Sequence, residues 1–191
     1  EHCLRRDDDY SAVIATHESG PTTTTTFAEL RRLVAEFAAG LRELGVGPGD
    51  AVVAYLPNVT EAVVASLASA SIGAAWSSCP PEFGTPSVID RFLQVAPKVL
   101  IAADGYTYNG KPFDSLPEVV DIQAGLPSLT HAVVFPYMTV QPDVSGLAKT
   151  IFWDDVPVAG AELRFEPVPF DHPLYVVYSS GTTGMPKAIV H

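Results

Sequence analysis

Apolar residues recur along this chain with two different periods, and the switches between them outline its elements. Phe27, Leu30, Val34, Phe37, Leu41 and Leu44 fall on one face of a 3.6-residue repeat, which predicts an amphipathic helix. Thr26, followed three positions later by Glu29, supplies a capping box at its start. Gly45 ends it, ahead of a turn at Gly47-Pro48-Gly49-Asp50. Residues 51–56 are a continuous apolar run closed by Pro57-Asn58, which predicts a buried strand. Asn58 or Thr60 is expected to cap a helix from Glu61 to about Ile72, and Ala74-Ala75-Trp76 a short strand. Thr85-Pro86 reads as an N-cap followed by proline at the first helical position, opening a helix to about Val95.

Further strands are expected over 98–102 and 131–135, with a hairpin turn at Asn109-Gly110 and a short helix over 116–124. Residues 136–173 are rich in proline and aspartate, with Ile151-Phe152-Trp153 as a packed anchor. Residues 1–25 read as an extended or poorly ordered lead-in, and the domain proper is expected over 26–191. Strands alternating with helices predict an α/β fold: a layered sheet with largely parallel strands and flanking helices. No internal repeat is visible.

The apolar fraction of 47% and charged fraction of 17% fit a folded domain with a sizeable core. A net charge of −11 argues against nucleic acid and anionic membrane surfaces, both of which require basic patches. The least charged stretch, 62–81, is broken by Ser, Gly and a double proline, so it predicts a buried helix against the sheet rather than a membrane span. Residues 1–10 are charged and do not form a signal peptide. The two cysteines, Cys3 and Cys79, have neither metal spacing nor a disulfide framework, which fits a reducing, cytoplasmic setting. No two of the five histidines have helical metal-ligand spacing, and Asp154-Asp155 reads as a solvated turn before Val156-Pro157.

The chemistry concentrates near the end of the chain. An apolar run, Leu174-Tyr175-Val176-Val177-Tyr178, reads as a buried strand, and Ala188-Ile189-Val190 as a second short strand. Between them lies Ser179-Ser180-Gly181-Thr182-Thr183-Gly184-Met185-Pro186-Lys187. Glycine lets backbone N–H groups converge on an anion. Hydroxyls donate to phosphate oxygens and also ligate magnesium. A lysine brings a mobile positive charge, and Pro186 restricts the backbone from which Lys187 starts. The P-loop of nucleoside triphosphatases is excluded, because Lys187 comes three residues after Gly184 and Ala188 follows it. An ordinary polar turn also uses Ser, Thr and Gly, but it rarely needs so many donors with a lysine. The loop would occupy the carboxyl end of a strand, where α/β sheets bind ligands.

This loop resembles the phosphate-binding signature of the adenylate-forming superfamily, which includes acyl-CoA synthetases, luciferases and nonribosomal peptide adenylation domains. It departs from the commonest form in having Ala188 where glycine usually follows the lysine. The ending Lys187-Ala188-Ile189-Val190-His191 is similar to the acetoacetyl-CoA synthetase branch. Trp76-Ser77-Ser78-Cys79-Pro80-Pro81-Glu82-Phe83-Gly84, and Pro97-Lys98-Val99-Leu100 leading to Asp104-Gly105-Tyr106-Thr107-Tyr108-Asn109-Gly110-Lys111, point the same way. The resemblance implies a two-step ligase. A carboxylate attacks the α-phosphate of ATP to give an acyl-adenylate and pyrophosphate, and the thiol of coenzyme A then displaces AMP.

The resemblance assigns Ser179, Ser180, Gly181, Thr182, Thr183, Gly184 and Lys187 to the β- and γ-phosphates of ATP, with Lys187 and Thr183 in catalytic roles. Thr182 or Thr183 would help place Mg2+, and His191 would lie near the carboxylate pocket. The expected partners are small molecules: acetoacetate or another short acid, ATP and coenzyme A. Acetate or propionate as the acid, and a non-catalytic nucleotide-binding domain, remain alternatives. The superfamily's later motifs, including its C-terminal domain, would lie beyond His191. The chain is therefore expected to be part of a larger enzyme whose remainder packs on it.

Overall fold

The computed structural model describes residues 1–18, 20–179 and 184–191. The lead-in is partly built into the fold. A 3-10 turn, His2–Leu4, buries Leu4, and β1 (Ser11–Ala15) pairs antiparallel with β2 (Thr23–Thr26). The threonine run thus finds a use as a strand, which suits its β-branched side chains.

Helix α1 (Phe27–Glu43) starts where the capping residues place it, with the Thr26 hydroxyl accepting from the Glu29 N–H at 3.1 Å. Leu30, Val34, Phe37 and Leu41 form its buried face. Next come β3 (Ala51–Tyr55), α2 (Thr60–Ser71), β4 (Ala75–Cys79), α3 (Thr85–Phe92) and β5 (Val99–Ala103). The expected caps of α2 and α3 are corrected. Val59 is the N-cap of α2, so neither Asn58 nor Thr60 caps it. Gly84 is the N-cap of α3, Thr85 is its first helical residue, and a 3-10 turn, Leu93–Val95, continues it.

The hairpin β6 (Gly105–Tyr108) and β7 (Lys111–Asp114) turns at Asn109 and Gly110, both at positive φ (51° and 71°), as the favoured two-residue hairpin requires. After it come helix α4 (Leu116–Gly125), β8 (His131–Phe135) and β9 (Thr150–Phe152). The chain closes with β10 (Val176–Ser179) and β11 (Lys187–Val190).

Five strands form one sheet in the order β4-β3-β5-β8-β9, every neighbouring pair parallel. Helices cover both faces. Val52 and Ala54 of β3 pack with α1 and α2, whereas Val53 and Tyr55 pack with Val88 and Phe92 of α3 and Val119 and Ile122 of α4. That two-sided burial explains why β3 and β5 read as unbroken apolar runs rather than alternating ones. The Ile151-Phe152-Trp153 anchor is a strand followed by a turn. Trp153 is buried and stacks on Phe37, ring centroids 4.1 Å apart.

Beyond it, the proline-rich segment is strapped across α1 and α2 by backbone bonds. Val158 N–H donates to Glu36 O, and Glu166 N–H to Ser71 O. The Arg42 guanidinium donates to Arg164 O. The strap lies so close to α1 that a Cβ on Gly40 would fall 1.8 Å from the Val156 carbonyl oxygen.

Candidate functional site

The β10–β11 hairpin docks on the free edge of β4. Trp76 and Tyr175 form a parallel bridge, Trp76 N–H donates to Leu174 O at 3.0 Å, and the Ser77 hydroxyl donates to Val176 O at 2.9 Å. Strand β10 therefore runs alongside β4 and ends, at Ser179, on the carboxyl edge of the sheet, the usual ligand-binding edge of a parallel sheet. Within the hairpin, Ser179 stands opposite Lys187 and Tyr178 opposite Ala188.

The expectation that 174–178 is a buried strand is corrected. Only Val176 is buried; Leu174, Tyr175 and Val177 are exposed. The ribbon meets the domain along one side, leaving its other face uncovered by the described residues.

Ser179 and Lys187 are both exposed and adjacent across the hairpin. Gly184 has φ +152°, an angle residues with a Cβ rarely adopt. Ser180, Gly181, Thr182 and Thr183 lie outside the described residues. His191 is exposed, stacks on Tyr175 with centroids 5.0 Å apart, and accepts the Leu174 N–H through its carbonyl. Asp154 and Asp155 sit in a 3-10 turn as exposed residues. Among the described residues, no group of three or more His, Cys, Asp or Glu side chains could hold a metal ion.

A cavity of about 560 Å3 opens between the hairpin, β4, α2 and α3. Trp76, Cys79, Phe83, Arg91 and Tyr178 line it. The Arg91 guanidinium lies over the rings of Phe83 (5.0 Å) and Tyr178 (5.8 Å), an arrangement in which the ring faces stabilise the cation. The Tyr178 hydroxyl donates to Arg91 O at 2.7 Å, and burial raises its pKa. The segment before α3 is held by Tyr55, whose hydroxyl donates to Pro81 O at 2.6 Å, with Phe83 O at 3.0 Å.

Cys79 is buried, and that burial pushes its thiol up to about 11 despite the nearby Arg91. The thiolate is the reactive form, so Cys79 should resist alkylation at pH 8 while exposed Cys3 reacts. Mass spectrometry after iodoacetamide should show one adduct on native protein and two after denaturation; two on native protein would contradict the burial.

Sequence reasoning missed Arg91 and Gln94, the residues that tie the hairpin to α3. A helical arginine and glutamine carry no local mark of their tertiary partners.

Together these features define an α/β domain with the stems of its candidate ligand loop at the carboxyl edge of a parallel sheet. The chain belongs to the AMP-binding enzyme family, which matches it over residues 1–191. It is 44% identical to acetoacetyl-CoA synthetase of Gallus gallus over 97% of the chain and 29% of that protein. To acetoacetyl-coenzyme A synthetase of Rhizobium meliloti (strain 1021) it is 43% identical, over all of the chain and 30% of that protein. A solved structure of acetoacetyl-CoA synthetase from Streptomyces lividans superimposes with a TM-score of 0.91 at 49% identity, covering 99% of the chain and 29% of that structure. The chain thus spans less than a third of the length of these relatives.

Proposed function

We propose that this chain forms the ATP-phosphate-holding part of an acetoacetate–coenzyme A ligase that works through an acyl-adenylate. One observation carries the reading. Ser179 ends β10 at the carboxyl edge of the sheet opposite Lys187, and the sequence between them has the hydroxyls and glycines of a phosphate cradle, in a chain 44% identical to a protein named acetoacetyl-CoA synthetase. On this reading 26–191 is part of a larger N-terminal AMP-binding domain, and a C-terminal domain outside this chain completes the enzyme. A cytoplasmic location is part of the same proposal. Among the described residues no helix is long and apolar enough to cross a membrane.

In the proposed reaction an acetoacetate oxygen attacks the α-phosphorus of ATP, and pyrophosphate leaves. The coenzyme A sulfur then attacks the acyl carbon, and AMP leaves. Ser179, Ser180, Gly181, Thr182, Thr183, Gly184 and Lys187 hold the β- and γ-phosphates. Lys187 stabilises the charge that grows on the departing pyrophosphate, which is how phosphoryl-type chemistry gains most of its rate. The described residues offer no carboxylate cluster for Mg2+. The ion would be held mainly by phosphate oxygens with the hydroxyl of Thr182 or Thr183, as Mg2+ sites of this type are built, and would supply charge neutralisation there.

The test is pyrophosphate release by the complete protein with ATP, Mg2+ and, in turn, acetoacetate, acetate, propionate or no acid. Release that depends on acetoacetate and exceeds that with the other acids is expected. Preference for acetate or propionate would move the substrate assignment to a sister ligase. ATP binding without acid-dependent release would leave a non-catalytic nucleotide-binding domain.

A further inference from the structure

Both stems of the loop are tied to the same end of α3. On the β10 side, the Tyr178 hydroxyl donates to Arg91 O. On the β11 side the tie is Gln94, in the 3-10 turn that continues α3. Its amide nitrogen donates to Pro186 O at 2.9 Å and to Asp90 O at 2.9 Å, and its amide oxygen accepts the Ala188 N–H at 3.2 Å. Pro186 and Ala188 flank Lys187, so one side chain holds the peptide groups on both sides of the lysine.

The amide can face only one way. Turned over, it would set its NH2 group against the Ala188 N–H and its oxygen against two carbonyls. Residue 94 is itself exposed and absent from the core, so this arrangement adds little to burial. Its effect falls on the backbone from which Lys187 departs.

We infer that Gln94 is a positioning residue for Lys187, fixing where the lysine side chain enters the phosphate loop. This rests on the reading of Lys187 as a phosphate ligand. Gln94→Ala removes all three hydrogen bonds. Gln94→Glu keeps the acceptor for Ala188 but turns a carboxylate toward the Pro186 and Asp90 carbonyls. Neither change removes buried apolar surface.

The test is ATP binding by titration calorimetry in the complete protein, with no acid present, alongside the thermal midpoint. Both variants should bind ATP about fivefold more weakly, as expected for loss of one or two net hydrogen bonds, with the midpoint within about 2 °C of the parent. Combined with Lys187→Ala, Gln94→Ala should cause little further loss, because the two residues act as a unit. Under turnover, KM for ATP should rise and KM for the acid should not.

Unchanged ATP affinity in Gln94→Ala would overturn the inference, as would a loss that adds in full to that of Lys187→Ala. A parent that binds ATP but forms no adenylate with acetoacetate would sink the substrate assignment and leave the comparison at Gln94 intact. A parent that binds no ATP would overturn both.

Discussion

On the proposed reading, replacing Lys187 with alanine in the complete protein is expected to lower kcat/KM for adenylate formation by two to three powers of ten while leaving the fold intact. The lysine is exposed, opposite Ser179 at the mouth of the hairpin, and forms no salt bridge among the described residues. Its removal therefore opens no cavity and strands no buried partner. Exposed substitutions of that kind usually change stability by no more than about 0.5 kcal/mol. A donor aimed at charge that develops in the transition state is worth far more, about 3–4 kcal/mol by analogy with the loss of one oxyanion donor. Pyrophosphate exchange and a thermal scan on the same preparation separate the two effects. A midpoint that falls together with activity would make Lys187 a structural residue.

Gly40→Ala should do the opposite, destabilising the domain by roughly 2–4 kcal/mol, the scale of overpacking together with a displaced buried contact. The direction runs against helix propensity, which favours alanine over glycine in a helix interior by about 1 kcal/mol. Position 40 is an exception because α1 and the strap are in backbone contact there. The new Cβ would fall 1.8 Å from the Val156 carbonyl oxygen and 2.8 Å from Val156 Cγ1. A carbonyl cannot swing aside as a side chain can, so the strap or the helix must shift, and Trp153 and Val156 are buried in the core that joins them. Gly47→Ala, in the turn after α1 where nothing lies within 4 Å of the added Cβ, is the control and should stay within about 1 kcal/mol of the parent. Urea denaturation of the three proteins measures the differences. An alanine at 40 that stabilises the protein would refute the close approach.

The parts of this fold that are legible in the sequence are those where local pattern and tertiary environment coincide. Residues of β3, β5 and β8 are apolar in succession because helices cover both faces of the sheet. The helical face of α1 and its Thr26 cap are local features, as is the Asn109-Gly110 turn. Strand β9 is harder to see, since three residues in a proline-rich stretch carry almost no period. The cap of α2 misleads because Asn58 and Thr60 are good capping residues on either side of the one that takes the position, Val59.

The apolar run before the loop reads as buried on composition alone. Within this chain Leu174, Tyr175 and Val177 are exposed, and the described residues meet β10 along the edge of β4. At the candidate site, the residue types that suit phosphate are plain in the sequence. The groups that tie down its stems are not, because Arg91 and Gln94 meet them from 87 and 92 positions away in the chain.

The docking of β10 on β4 also bears on the order in which the molecule assembles. Ser77 and Val176 are 99 positions apart, and the loop they close must lose its chain entropy before that contact gives anything back. Helix α1 and the β6–β7 hairpin close over a few residues each, and the five-stranded sheet can be complete without β10. The hairpin is then a late arrival on a finished edge. A growing chain would own its hydrophobic core before it owned the hairpin that carries the candidate phosphate loop.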